Sequence, residues 1–525
     1  MAMRRDWAPA FRSLQIILIV AVFALDLAHG IRLGVHDVGF HPIYRVRQSM
    51  AVAISRLREP PLGGYLAYQS VLDALNRHGF AIHPQDAGPP PDVERWTALL
   101  TDADALERAL QEAMTTPLDT ALRPRVIIIN ELAYADYMYL GFRLFGVHMS
   151  SLYYLYFALL GLSCLLFVTA FGRSPFLIFV LTVYLAGLFF LQNYAAGVGN
   201  NQAVSLANSR LFEALALLPA FHVFLAVWER APLRWRTFVG IAVQAALLVF
   251  LVLCRTTVWW QVGLILAASA GLALARGAGR WRAVWPAAIT VILLVTYLTA
   301  INTLADARYA TEPKAHVIWH EVLIGLVGAS PELQRLYLGE AGGIDFPDAF
   351  AYAAVVRDLN ARDDRSSPIA FMQDGRIDID ASVNDNEYER LQRAMAFKII
   401  REHPFAVAAG MINKYLEQAR MYAQSRAMPP GALGGAALIV AVGAFVWIMT
   451  GGGNLPPGAV RRGAAATVMI LAFSTAPVAI EPSIFSVGTL LCFLVAACIA
   501  VTILIAAAVR RMRPIAAAPG KGREL

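Results

Sequence analysis

The feature that most constrains this chain is the apolar run at residues 14–33, which follows Arg4, Arg5 and Arg12. About 20 apolar residues suffice to cross the hydrocarbon core of a bilayer as a helix, and a basic cluster in front of a span holds the N-terminus in the cytoplasm. A charged segment followed by an apolar one also occurs in cleaved signal peptides. This run is long for a signal peptide, and no small-x-small cleavage site follows it at once. We therefore predict an uncleaved first span.

The first span contains an acidic residue, Asp26, in its outer half. An ionised carboxylate at the centre of a bilayer helix costs at least about 2.5 to 3.5 kcal/mol. Asp26 is therefore expected to face protein or a water-filled cavity, and it is a candidate intramembrane functional residue. The alternatives are that the outer interface hydrates it or that it bonds to a neighbouring helix.

Composition places the whole chain in a membrane. Of its 525 residues, 58% are hydrophobic and 15% are charged, and the mean hydropathy is +0.55, which is too apolar for a soluble globular protein. The net charge of +7 comes from arginines in short loops, which report topology, so no nucleic-acid partner is expected. The four cysteines lie within apolar runs and indicate no disulfide framework.

The apolar runs predict an all-α polytopic membrane protein with about ten transmembrane helices and two mainly helical extracytoplasmic segments. After the first span, the predicted spans are residues 149–171, 175–194, 205–228, 237–254, 258–275, 283–304, 432–450, 464–479 and 484–509. With both termini in the cytoplasm, every short arginine-rich loop then lies on the cytoplasmic side. A multi-pass protein of a bacterial inner membrane is therefore expected.

These spans divide the chain into six parts. They are residues 1–34 (N-terminus and first span), 35–148 (first outer segment), 149–304 (six-helix block), 305–430 (second outer segment), 431–509 (three-helix block) and 510–525 (cytoplasmic tail). In the second outer segment, Asn384 or Asp385 can cap a helix that Pro404 ends. Residues 405–422 predict an amphipathic helix lying at the membrane interface.

The first outer segment contains candidate catalytic carboxylates. Asp37 follows the first span directly, beside His36, and a carboxylate at headgroup height can act as a general base on a hydroxyl within hydrogen-bond reach. The alternative is a solvated loop aspartate. Two further candidates, Glu131 and Asp136, lie shortly before the second span.

The sequence around Glu131 and Asp136 resembles the start of the GT-C superfamily of polytopic glycosyltransferases. The resemblance rests on an acidic residue with an aromatic (Asp136-Tyr137), a predicted helix ending in Leu144-Phe145-Gly146, and a serine-led span beginning at Ser150-Ser151. It covers the organisation of the first 300 or so residues and the Glu481-Pro482 turn before the last span, near the expected lipid site.

The resemblance implies a sugar donor linked to polyprenyl phosphate and an outer-loop Asp or Glu that deprotonates the acceptor, which would be an envelope lipid, glycan or protein. The chain has His36-Asp37 where the family commonly has an adjacent acidic pair. The base therefore stays open between Asp37, Glu131 and Asp136.

Two arginines are candidates for binding the lipid phosphate. Arg255 lies at the predicted outer boundary of the membrane, where the positive-inside rule requires no cation, and Arg210 is placed similarly before the fourth span. A guanidinium can hold a phosphate through two hydrogen bonds. The alternatives are an ion pair with Glu213 or contact with lipid headgroups.

Two histidines, His316 and His320, are four residues apart, a spacing compatible with a divalent metal ion if the segment is helical. No clear third ligand accompanies them. The alternatives are a polar cluster packed on Trp319 or an edge that contacts the sugar.

Three functions are compatible with this pattern. The first is a glycosyltransferase that uses a polyprenyl-phosphate sugar on the outer face, among membrane lipids. The second is a transporter or flippase of lipid-linked glycans, which favours broken helices and repeated halves that the sequence does not show. The third is a non-catalytic scaffold, for which Asp26 and Arg255 would be coincidental.

Overall fold

The architecture is helical throughout the part of the chain that the structure describes. A computed structural model describes residues 3–35, 44–58, 70–71, 73–74, 103–117, 132–197, 206, 211–275, 281–304, 318–338, 348–361, 385–424, 457–474 and 487–512. In chain order the helices are α1 (Met3–Val35), α2 (Tyr44–Arg58), α3 (Ala103–Thr115), α4 (Leu132–Phe145), α5 (Met149–Phe171), α6 (Pro175–Gly197), α7 (Leu211–Trp228), α8 (Trp235–Cys254), α9 (Trp259–Ala275), α10 (Trp281–Leu304), α11 (Ile318–Val327), α12 (Pro331–Leu338), α13 (Asp348–Ala361), α14 (Asp385–Glu402), α15 (Pro404–Gln424), α16 (Pro457–Phe473) and α17 (Val487–Met512). The predicted all-α class is confirmed for these residues.

Among the described residues, six stretches are long and apolar enough to cross a membrane. They are Ser13–Arg32, Ser150–Phe171, Pro175–Gln192, Leu211–Glu229, Trp235–Cys254 and Trp281–Ala300. A helix rises about 1.5 Å per residue, so 20 residues match the roughly 30 Å hydrocarbon core. The apolar helices are those of a multi-pass membrane protein.

Of the four remaining predicted spans, three correspond to shorter apolar helices and one lies outside the described residues. Trp259–Ala275, Gly463–Phe473 and Leu491–Leu504 are apolar but shorter, and the expected span at residues 432–450 lies outside the described residues. Ten spans therefore stay a prediction. The geometry does require α9 to return the chain, because α8 and α10 run in the same direction, with the rings of Phe238 and Trp285 6.2 Å apart at their starts.

Prolines set several helix boundaries. α6, α12, α15 and α16 each begin at a proline, whose fixed φ suits the first helical position and whose missing N–H is not needed there. The break between α14 and α15 at Pro404 follows the prediction. By contrast, α16 begins at Pro457, before the apolar stretch predicted from residue 464, because hydropathy marks the apolar stretch and the proline marks the helix start.

Arginines in the loops and near the helix ends lie at one end of the bundle. There Trp285 Nε1 donates to the Ala231 carbonyl at 3.1 Å, and a Cβ at Gly463 would lie 2.3 Å from Ile503 and 3.3 Å from Phe176. The first contact joins the start of α10 to the α7–α8 connection, and the second brings the start of α16 close to the start of α6 and to the C-terminal part of α17. We call this the basic end, since it carries Arg173, Arg230, Arg234, Arg236, Arg282, Arg461, Arg462, Arg510 and Arg511.

At the opposite end α1, α6, α8 and α10 finish, while α5, α7, α9 and α17 begin. We call it the site end. Tyr156 Oη donates to the Leu211 carbonyl at 3.2 Å there, and Trp260 Nε1 donates to the Ala472 carbonyl at 3.1 Å. The exposed Trp260 at this end and the exposed Trp235 and Trp281 at the basic end are placed as interfacial aromatic anchors.

Helices α11 to α15 form a small unit with a core of its own. Leu323, Val327, Val355 and Ile399 are among its buried residues. On α15, Phe405, Ile412 and Leu416 are exposed at a spacing that places them along one face. The predicted helix is confirmed, and its amphipathic character and its position at a membrane interface stay predictions.

Candidate functional site

Two carboxylates with cationic partners lie at the site end of the bundle. Asp136 is on α4, which packs against α2, α5 and α8, and Glu213 is in the first turn of α7. Both are far in sequence from the side chains that hold them. The tertiary fold therefore builds these pairs.

Asp136 is held through both of its oxygens. Arg56 Nη1 on α2 donates to Asp136 Oδ1, and Tyr297 Oη on α10 donates to Asp136 Oδ2 at 2.6 Å. The Asp136 side chain is 17% exposed, so a small polar group can reach it from solvent. Each carboxylate oxygen accepts more than one hydrogen bond, so Asp136 retains acceptor capacity for a substrate hydroxyl.

A second arginine lies close to this pair. The guanidinium of Arg56 is 4.9 Å from the centre of the Tyr139 ring, and that of Arg143 is 5.7 Å from it. Arg143 Nη1 also donates to Tyr139 Oη, and its residue is exposed. Two arginines and one aspartate leave a net positive charge at the surface, which suits an anionic ligand.

Glu213 forms the second, more deeply buried cluster. Arg255 Nε, just past the end of α8, donates to Glu213 Oε1 at 3.3 Å, and Thr257 Oγ1 in the following 3-10 turn donates to the same oxygen at 2.7 Å. The α17 backbone closes on this cluster at Gly488, where a Cβ would lie 2.6 Å from the Glu213 Cβ. The ion pair with Glu213, which was the alternative to phosphate binding, is made by Arg255.

Buried aromatic residues connect the two clusters. The ring of Tyr137, one residue after Asp136, lies 4.7 Å from that of Phe212, and Tyr137 Oη donates to the Leu152 carbonyl. Burial raises the pKa of the Tyr137 phenol well above its usual value, so it stays a neutral donor. The Cys254 thiol donates to the Ala133 carbonyl at 3.3 Å, which fixes the end of α8 against α4.

Asp26 lies inside the protein, as expected. It is fully buried on the face of α1 that packs against α5 and α6. Neither of its oxygens has a hydrogen-bond partner among the described residues. The alternative of a bond to a neighbouring helix therefore finds no partner in this part of the chain.

His320 lies away from the bundle, within the small unit. It is buried, with Nδ1 2.9 Å from Nε2 of Gln392, and the neighbouring Trp319 ring lies 5.3 Å from that of Phe397. This is the polar cluster packed on Trp319 that was the alternative to a metal site. Because His320 is buried, it does not form an open edge for a sugar.

The other predicted site residues lie outside the described residues. They are Asp37, Glu131, Arg210, His316 and Glu481. Within the described ranges, no three His, Cys, Asp or Glu side chains are grouped so that they could hold a metal ion. The divalent metal stays a prediction.

Sequence reasoning missed two partners of Asp136. Arg56 is 80 residues away in the chain and Tyr297 is 161 residues away, and neither has a local motif. The one available signal was the phenol of Tyr297 near the outer end of an apolar span, since a Tyr at that depth tends to bond a polar partner.

Comparisons with known proteins leave the family open. No protein-family model matches the chain, and no curated protein matches it.

Proposed function

We propose that this protein is a membrane glycosyltransferase that transfers a sugar from a polyprenyl-phosphate donor to a lipid, glycan or protein acceptor. We place the reaction at the site end and, by the positive-inside rule, on the outer face of a bacterial inner membrane. The observation that carries the proposal is the Asp136 carboxylate, held by Arg56 and Tyr297, with the exposed Arg143 bonded to Tyr139 on the same helix.

The proposed reaction uses Asp136 as the base. The acceptor hydroxyl gives its proton to the carboxylate while its oxygen attacks the anomeric carbon of the donor sugar. The bond from that carbon to the phosphate oxygen breaks, and polyprenyl phosphate leaves with the electron pair. Arg56 and Tyr297 orient the carboxylate, as positioning residues. Asp37 and Glu131 remain alternative bases.

Arg143 and Arg255 have different roles in this proposal. Arg143 is exposed about two turns along α4 from Asp136 and can pair with the phosphate of the donor. Arg255 is engaged with buried Glu213 through its Nε, so its contact with a phosphate would use the terminal nitrogens of the fork. Arg255→Lys keeps the charge and loses the fork, and it should retain part of the activity.

The test is sugar transfer by the purified full chain in lipid nanodiscs. Polyprenyl-phosphate sugars extracted from the membranes of the source cells serve as donors, and released polyprenyl phosphate is measured. General-base assistance contributes about 10²–10⁴-fold, so we expect Asp136→Asn to lower turnover by that factor with little change in donor binding. Mass spectrometry of envelope lipids and glycans in a deletion strain and its complemented parent identifies the product.

The matched control is Asp358→Asn. Asp358 is a carboxylate 14% exposed, paired with Lys398 at 2.8 Å in the small unit, and its loss should leave turnover unchanged. Near-parental turnover in Asp136→Asn, Asp37→Asn and Glu131→Gln at matched protein levels would overturn the proposal.

One observation favours transport as a second candidate. Ionisable residues inside membrane spans commonly mark ion or substrate pathways, and Asp26 is such a residue, buried without a partner among the described residues. Movement of a lipid-linked glycan across proteoliposomes, without release of polyprenyl phosphate, would favour a flippase.

A further inference from the structure

Several buried polar atoms along the α1–α6 contact have no hydrogen-bond partner within the described ranges. They are both carboxylate oxygens of Asp26, Nε2 of His29 and Oε1 of Gln192. Asp26 is 0% exposed and Gln192 is 2% exposed. Buried polar groups are nearly always satisfied, and among the described residues nothing satisfies these four atoms.

The geometry of the two helices brings these groups to one place. Asp26, His29 and Gly30 lie three and four residues apart, which puts them on adjoining positions of one helix surface. α6 runs parallel to α1, with Gln15 Nε2 3.5 Å from the Pro175 carbonyl oxygen at one end and the His29 and Phe189 rings 5.9 Å apart at the other. Gln192 Nε2 lies 3.5 Å from where a Cβ of Gly30 would be, so its amide reaches α1 one turn from Asp26.

Among the described residues, two tyrosine hydroxyls near Asp26 already donate to other groups. Its carboxylate interacts electrostatically with Tyr156 and Tyr184, but Tyr156 Oη donates to the Leu211 carbonyl at 3.2 Å and Tyr184 Oη donates to the Ala214 carbonyl at 2.9 Å. Among the described residues, the Cys164 thiol on α5 and His29 and Arg32 on α1 are further ionisable groups of this region. Arg32 is exposed, and the described part of the chain places no buried cation beside the carboxylate.

The unsatisfied oxygens are hydrogen-bond acceptors and can bind a positively charged ligand. An isolated carboxylate is very costly in an apolar interior, and it becomes neutral or acquires a counter-ion. Carboxylate and amide oxygens are ligands for hard cations and for hydronium alike. His29 is half-buried and lies one turn closer to the site end.

We propose that Asp26 and Gln192, with His29 at the entrance, form a binding site for a small monovalent cation, either a proton or a sodium ion. This site is separate from Asp136 and does not depend on the glycosyltransferase proposal. It gives the first helix an ion-binding role in addition to membrane anchoring.

The experiment uses a fluorescent carbodiimide, which reacts with a protonated carboxyl group in an apolar environment. The full chain in nanodiscs is labelled across a pH series and a sodium chloride series, with choline chloride for ionic strength, and modified residues are mapped by mass spectrometry. We expect labelling at Asp26 that disappears in Asp26→Asn. Loss of labelling as pH rises, without an effect of sodium, identifies a proton site, and protection by sodium over choline identifies a sodium site.

Two variants test the assignment of Gln192. Gln192→Leu removes an oxygen acceptor that would hold the bound cation, so it should raise the half-protecting sodium concentration about tenfold, or lower the midpoint of pH-dependent labelling by about one pH unit. Gln15→Leu, on the same face of α1 but at the basic end, should change neither. Absence of labelling at Asp26 in the folded chain, or labelling that responds to neither pH nor sodium, would overturn the proposal.

Discussion

Separating Glu213 from Arg255 should open the site end of the bundle locally. At 3.3 Å and an effective dielectric constant of about 20, two unit charges attract by about 5 kcal/mol. Desolvation offsets part of this attraction, but removing one partner of a buried pair leaves the other uncompensated and typically costs about 3–5 kcal/mol. The side chain of Glu213 is 4% exposed and that of Arg255 is 14% exposed, so Arg255→Ala should cost more than Glu213→Ala.

Buried thiols provide the assay. Cys254 and Cys492 lie beside this pair and are buried, so a maleimide reaches them only when the structure opens. Local opening has its own free energy, and 1.4 kcal/mol is a factor of ten. A cost of about 3 kcal/mol therefore predicts a rise of roughly 100-fold in the rate of maleimide reaction at both thiols, measured by peptide mass spectrometry. Cys164, at the α1–α5 contact, is the internal control and should react at the parental rate.

The double variant isolates the interaction itself. Once one partner is gone, losing the other should cost little, so Glu213→Ala with Arg255→Ala should react at least about tenfold more slowly than the product of the single effects predicts. Arg255→Lys should fall between the parent and Arg255→Ala. Additive effects, or parental rates at Cys254 in the single variants, would refute the reasoning.

Three further predictions concern other parts of the chain. Burial lowers the pKa of Lys414 from 10.5 to about 7, so the unfolded chain binds more protons than the folded chain between these pH values. The unfolding free energy of the small unit should therefore rise with pH from 7 to 10. Urea titrations should show that Lys414→Met removes this pH dependence. Gly410→Ala should destabilise that unit, because the added Cβ would lie 2.3 Å from a backbone carbonyl oxygen. Gly240→Ala, with open space around the position, should be neutral or stabilising by up to about 1 kcal/mol. Equal changes in the urea midpoint for the two variants would contradict this. Cysteine introduced at Asp104 should react with an impermeant thiol reagent in intact cells and one at Gly458 should not, and the reverse result would overturn the predicted orientation.

The sequence predicted the parts of the fold that depend on apolar length. α5, α6, α8 and α10 begin and end within a few residues of the predicted spans, since hydrophobic length determines where a helix can cross a bilayer. The inward position of Asp26 followed from the cost of placing a carboxylate in lipid. These predictions depend only on the local sequence and on the properties of the lipid bilayer.

The pairings at the site could not be predicted in this way. Asp136 and Arg255 were candidates because of their positions, but their partners Arg56, Tyr297 and Glu213 are brought close by helix packing. No periodicity identifies which distant arginine meets which carboxylate. The sequence left the base open between three carboxylates, and the structure describes the surroundings of Asp136 alone among them.

The contact of Gly488 with Glu213 has a consequence for biogenesis. The cluster of Glu213, Arg255 and Thr257 is covered by the start of α17, which the ribosome makes after all the other described helices. Until α17 is inserted, the Glu213 cluster of a nascent chain lacks this cover although the helices that carry it are already in the membrane. Insertion of the last helix is thus the step that covers the charged start of α7. A chain truncated before α17 leaves these charged side chains uncovered, where membrane quality control can recognise them.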